Sequence, residues 1–119
     1  MSEPSTAGAD GFIAGLRRCG LDASVEAGIV SFTVEAVDGA HAGRQVRTGV
    51  GTQELSGWPL IPPHWVHLPA DFGFARTNSQ PSAIPGWLQH SRQIQHWGHA
   101  SEPAQAWIAH VRGILGEAL

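Results

Sequence analysis

The chain has 119 residues, of which 42% are hydrophobic and 14% charged, with a formal net charge of -3. These values fit one globular domain and exclude an intrinsically disordered chain. The acidic balance, with basic residues adjacent only at Arg17 and Arg18, argues against nucleic-acid binding. The sequence contains no apolar run of about 18 residues, so it predicts no membrane span. The polar N-terminus lacks the basic-then-apolar order of a signal peptide, so we expect a cytoplasmic protein.

The first predicted elements are a tail and a helix. Residues 1–9 are small and polar and predict a flexible tail, which leaves residues 10–119 as a single domain. Asp10 can cap a helix that ends at Gly20. Its apolar positions share one face: Phe12, Ile13, Leu16 and Cys19. Cys19, the single cysteine, is therefore predicted to be a small buried hydrophobe.

Alternating apolar and polar residues predict an antiparallel sheet in the middle of the chain. Residues 29–36 have the period of a half-buried strand, and residues 46–50 repeat it after a turn at Asp38 and Gly39. Residues 65–68 predict a further short strand. Residues 70–99 show no clear period, so we expect a long irregular loop, and loops of such length are often functional.

The last predicted element is a helix that starts from Ser101, with Glu102 and Pro103 in its first turn. Its apolar positions recur at helical spacing: Ala104, Trp107, Ile108, Val111, Ile114, Leu115 and Ala118. The order of helix, strands, loop and helix predicts an α+β domain with helices covering one face of a meander sheet.

Two sequence segments resemble those of a known family. WPLIPPHWV over residues 58–66 is similar to the aromatic-Pro-x-x-Pro-Pro-x-x-Val segment of ubiquitin-conjugating enzymes. WLQHSR over residues 87–92, followed by Trp97, is similar in part to the Trp-x-x-Trp-Ser-Arg-His type signature of a bacterial branch of that superfamily. The resemblance implies the UBC-like fold over residues 10–119: an N-terminal helix, an antiparallel meander whose last strand follows the proline segment, a long irregular loop and a C-terminal helix.

The resemblance also implies a role in bacterial ubiquitin-like conjugation, but without the usual thioester. Enzymes of the family hold ubiquitin on a loop cysteine that follows a His-Pro-Asn motif, and this loop contains neither. Cys19 lies instead on the first helix. We therefore expect a pseudoenzyme without a cofactor, which we call cysteine-less because it lacks the catalytic cysteine of the family. Its expected partners are a ubiquitin-like modifier and an activating enzyme or another protein of the pathway, to which it binds as an adaptor.

A serine that carries the modifier as an oxyester is the alternative to an adaptor. Such a serine needs an adjacent base and a group that stabilises the oxyanion. Ser91 has the best neighbours, because His90 and His96 can act as bases and Arg92 can hold a carboxylate or an oxyanion. We predict Ser91, His90 and Arg92 as the candidate catalytic residues. The structural alternative is that Ser91 caps a turn while Arg92 pairs with an acidic residue or stacks on a tryptophan.

Tryptophans bracket the same stretch. Trp87 and Trp97 carry large apolar surfaces that anchor the stretch to the core or, alternatively, contact a partner. We predict Trp87, His96 and Trp97 as the partner-binding residues.

The histidine spacing predicts no metal site. His90, His96 and His99 are close in sequence, but a structural zinc site normally includes thiolates, and no CxxC or HExxH motif is present. The remaining alternative for the whole chain is an unrelated small α+β domain in which the proline motif is a coincidence.

Overall fold

The structure, a computed structural model, describes residues 7–74, 78–94, 97 and 102–119. Within these residues it is an α+β fold, as predicted, with two α-helices against an antiparallel sheet of six strands. Neighbouring strands follow the order β1-β2-β3-β4-β6-β5. The elements are α1 (Gly8–Arg18), β1 (Ser24–Glu26), β2 (Ile29–Glu35), β3 (Gln45–Gly51), β4 (Trp65–Pro69), β5 (Ser79–Pro81), β6 (Trp87–Ser91) and α2 (Pro103–Glu117), with 3₁₀ turns at Gly39–His41 and Thr52–Leu55.

Helix α1 begins earlier than the sequence predicts. Its N-cap is Ala7, and Asp10 lies within the first turn rather than at the cap. The carboxylate is nevertheless near the positive end of the helix dipole, where it is favourable. Gly8 and Ala9 belong to the helix and not to a tail, while residues 1–6 lie outside the described residues. No helix in the described part of the chain is long and apolar enough to cross a membrane.

Both helices and one face of the sheet share a single core. Phe12 of α1 lies at its centre, with ring-centroid distances of 4.8 Å to Trp58, 6.1 Å to Phe32 and 6.5 Å to Trp107. Every apolar position predicted for α2 is buried, and Cys19 is partly buried against the same core. Because β2 buries Val30, Phe32 and Val34 on this face, its odd-numbered residues lie on the opposite side. We call that opposite side the open face.

The prediction of a long irregular loop over residues 70–99 is partly wrong, because residues 79–91 form a β-hairpin. β6 pairs with β4 over its whole length, with Val66 opposite His90, and β5 forms the edge of the sheet. The strand after the proline segment is therefore not the last one. The structure also adds β1, which pairs with β2. Periodicity did not indicate β6, because a histidine occupies one of its core-facing positions. It did not indicate β5 either, because that strand is short and polar.

Candidate functional site

Strand β6 separates the three predicted catalytic residues onto two faces. Side chains alternate along a strand, so the residues on either side of Ser91 point away from it. His90 lies opposite Val66, a core residue, whereas Ser91 lies opposite Trp65 and shares the open face with it. His90 and Arg92 are therefore brought to the helix side, and neither lies where it can act on the Ser91 hydroxyl.

The imidazole that contacts Ser91 comes from another segment. The His64 Nε2 atom forms a hydrogen bond with the Ser91 Oγ atom, and the His64 ring is exposed. The backbones are also joined, because the N–H of Arg92 donates to the carbonyl of His64 at 2.9 Å. Glu54 holds the start of β4, where its Oε1 atom accepts from the N–H groups of His64 at 2.9 Å and Trp65 at 3.2 Å. To predict this contact from the sequence, β6 would have to be recognised as a strand and paired with β4.

Arg92 is committed to the helix side of the sheet. Its Nη1 atom donates to the Glu117 Oε2 atom at 2.7 Å, and its guanidinium carbon lies 5.1 Å from the ring centre of Phe74. The predicted pairing of Arg92 with an acidic residue is confirmed, while the ring on which it stacks is a phenylalanine and not a tryptophan. The ion pair between Arg92 and Glu117 therefore links the end of β6 to α2.

His90 is a buried histidine with an unusual environment. It is 2% exposed, its ring lies 4.8 Å from that of Phe74, and neither ring nitrogen has a hydrogen-bond partner among the described residues. Burial and, to a smaller extent, the nearby Arg92 lower the pKa of His90 below its ordinary value. The ring is therefore neutral at neutral pH and packs as part of the core.

A second serine–histidine pair lies on the open face. The His67 Nδ1 atom and the Ser82 Oγ atom are 2.7 Å apart, and the same oxygen accepts from the N–H of Ile84 at 3.2 Å. His67 is 3% exposed, since the β5–β6 connection covers it. Burial, followed by the neighbouring His90, lowers the pKa of His67 to about 4.

An exposed apolar groove lies beside the Ser91–His64 pair. Trp97 is fixed there, because its Nε1 atom donates to the carbonyl of Pro59 at 2.7 Å and its ring lies 5.2 Å from that of Trp58. Leu60 and Ile61, by contrast, are 87% and 64% exposed. The groove has a cavity volume of about 410 Å³. We call it the proline-loop groove, and its lining includes Leu60, Ile61, Pro62, His64, Ile94 and Trp97.

The other predicted partner-binding residues are less informative. Trp87 is half-buried at the start of β6, opposite Pro69. His96 lies outside the described residues, as does His99. Among the residues that the structure describes, no group of three or more His, Cys, Asp or Glu side chains could hold a metal ion.

Comparisons of the chain with protein-family models, with characterised proteins and with solved structures find no match. The features that bear on function are therefore those of the molecule itself. They are the two serine–histidine pairs and the exposed groove that adjoins one of them.

Proposed function

We propose that this protein is a UBC-like, cysteine-less component of a cytoplasmic, bacterial ubiquitin-like conjugation pathway, and that it binds the ubiquitin-like modifier as an adaptor. The order of elements supports the proposal. A helix, a meander of four strands, the WPLIPPHWV segment before the fourth strand and a C-terminal helix follow one another along the chain. The β5–β6 hairpin is an addition to the arrangement that the resemblance implies.

The observation that carries the proposal is the proline-loop groove. Leu60 and Ile61 expose most of their side chains to water. Exposed apolar side chains beside a fixed aromatic ring are typical of a protein-binding surface. Trp97 provides that ring, and its hydrogen bond to Pro59 holds it in place before any partner arrives. Such preorganisation reduces the entropy lost on binding.

The contacts around Ser91 favour binding over catalysis. The N–H of Ser91 donates to the carbonyl of Asn78 at 2.8 Å, and that of Arg92 donates to His64. Neither is free to stabilise an oxyanion at Ser91, and the guanidinium of Arg92 pairs with Glu117. Without stabilisation of the oxyanion, attack by a serine hydroxyl on a carbonyl is slow. Cys19 is the C-cap of α1 and is partly buried against the core, which supports a structural role for it.

A second function, modifier carriage as an oxyester, is favoured by one contact. The hydrogen bond between His64 and Ser91 places a base at a serine hydroxyl on the surface of the protein. In this alternative His64, and not His90, removes the proton as the Oγ atom attacks the modifier's activated C-terminal carbonyl. The carrier of that carbonyl then leaves, and the modifier remains on Ser91 as an ester.

The two functions can be separated with a bacterial ubiquitin-like modifier and its activating enzyme. An adaptor binds the modifier without an adduct, and Leu60→Asp weakens the binding about tenfold or more, because a charge enters the apolar contact. Val37→Asp is the matched control, since Val37 is 58% exposed and lies away from the groove, between β2 and the 3₁₀ turn Gly39–His41. Equal weakening by both variants would contradict the groove as the binding surface.

The oxyester alternative predicts a covalent product after incubation with the same proteins and ATP. The adduct should survive reducing agents, break in mild base, and disappear in Ser91→Ala and in His64→Asn. Binding without an adduct leaves the adaptor as the function, whereas the absence of both binding and adduct would reject the two functions together.

A further inference from the structure

A polar pocket on the open face has no role in the proposed function. It lies between β4, the β5–β6 hairpin and the 3₁₀ turn Thr52–Leu55, with a cavity volume of about 490 Å³. Gly51 contributes no side chain to it, and the space above Gly51 is therefore open. The lining residues used below are Gly51, Glu54, Trp65, His67 and Gln89.

Glu54 brings a negative charge to the pocket, and no ion pair among the described residues neutralises it. Glu54 is the acidic residue of its lining, and its Oε1 atom already accepts from two backbone N–H groups. The Oε2 atom faces the pocket, since a β-carbon on Gly51 would lie 3.8 Å from it. The ion pairs of the described residues involve other carboxylates, and Arg47 on the same face donates to Ser31 and Thr33 instead.

The remaining polar groups of the pocket complement this charge. The Gln89 Nε2 atom donates to the carbonyl of Pro81 at 3.0 Å, which leaves the Oε1 atom of Gln89 as an acceptor. His67 adds no opposing positive charge at neutral pH, because burial lowers its pKa to about 4. The half-buried ring of Trp65 offers an aromatic surface, and such surfaces attract cations.

We propose that this pocket binds a primary alkylammonium group, the group at the end of a lysine side chain, through the Oε2 atom of Glu54 and the ring of Trp65. A guanidinium prefers two parallel hydrogen bonds to a carboxylate, but the Oε1 atom of Glu54 already accepts from two backbone N–H groups, which leaves Oε2 as the oxygen without a partner among the described residues. An ammonium is a compact charge that a single carboxylate oxygen and one amide oxygen can hold. The site does not require modifier binding and goes beyond it.

The test is a titration of the full chain followed by ¹H–¹⁵N NMR. The probes are Nα-acetyl-lysine N-methylamide, its arginine analogue, and the norleucine analogue, which has nearly the same shape but no charge. We expect saturable shifts of the Trp65 indole and backbone N–H signals with the lysine derivative and about tenfold weaker binding of the arginine derivative. Equal binding of the norleucine derivative would overturn the proposal.

Two variants locate the binding. Glu54→Gln keeps the oxygen that accepts from His64 and Trp65 but removes the charge, so the Kd should rise about tenfold or more. Gly51→Ala places a methyl group in the open space without a steric clash and should also raise the Kd several-fold. Glu35→Gln and Gly113→Ala are the matched controls, on an exposed strand end and an exposed helix position.

Both variants are needed because Glu54 also holds the start of β4. If Glu54→Gln fails to fold, Gly51→Ala decides the outcome, and unchanged affinity in either folded variant would reject the site. n-Butylammonium distinguishes the sources of the group. Affinity equal to that of the lysine derivative indicates a free amine as the ligand, and weaker affinity indicates a lysine side chain.

Discussion

The two serine–histidine pairs of the open face contain the same groups in different surroundings. His64 and Ser91 meet at the exposed end of the β4–β6 ladder, beside the proline-loop groove. His67 and Ser82 meet beneath the β5–β6 connection, where the imidazole is shielded from water. A serine beside a histidine therefore does not by itself indicate a catalytic site. Burial makes the second pair a structural hydrogen bond, while exposure leaves the first pair accessible to a partner.

The largest expected effect is a loss of folding stability in acid, caused by the buried His67–Ser82 pair. The pKa of His67 is about 4 in the folded protein, below the ordinary 6.5, because burial disfavours the charged ring, so the fold loses stability when the ring takes up a proton. This stability is complete above about pH 6.5 and is lost as the pH falls toward 4, by about 3 kcal/mol. Burial also lowers the pKa values of His90 and His110, which adds to the loss in the same direction. Urea unfolding at pH 7 and at pH 4 measures the change.

The contribution of His67 is isolated by His67→Asn, which keeps a polar group near Ser82 but cannot take up a proton in this range. The free energy of unfolding of this variant should fall less between pH 7 and pH 4 than that of the wild type. His64→Asn is the control, because its ring is exposed. If His67→Asn and the wild type lose equal stability in acid, the buried pair is not the acid-sensitive one.

Removing each hydroxyl compares the pairs directly. Ser82→Ala leaves the Nδ1 atom of His67 and the N–H of Ile84 without their partner, which should cost about 1–3 kcal/mol. Ser91→Ala removes a bond to an exposed ring and should cost no more than about 0.5 kcal/mol. Urea denaturation at pH 7 measures both changes. Equal costs would show that the two pairs have similar structural roles.

A substitution at His90 has the smallest expected effect on stability and gives the most specific test, because His90 is next to Ser91 in sequence but on the other face of the sheet. His90→Leu replaces a buried ring without partners among the described residues by an apolar side chain, and should raise the free energy of unfolding by about 1 kcal/mol. Modifier binding and any Ser91 adduct should be unchanged. Loss of the Ser91 adduct in a stably folded variant would show that His90 acts on Ser91 after all.

Particular residues explain how far prediction from the sequence reached. The apolar positions of α2 recur at helical spacing, and β2 and β3 alternate, so these elements were predicted correctly. β6 was missed because a core-facing His90 interrupts its apolar pattern. The missed strand then had consequences for the site. With residues 87–91 treated as a loop, the nearest histidine in sequence looked like the base for Ser91, whereas alternation on a strand turns it away.

Local periodicity was enough to predict the α+β class, the two helices and three of the strands. Residue type alone shows that no cysteine follows the proline segment. Contacts made in the folded chain determine which imidazole meets which serine, which imidazole is buried, and which carboxylate oxygen of Glu54 the backbone N–H groups occupy. Each of these depends on contacts between segments ten or more residues apart, which the pairing of the strands creates.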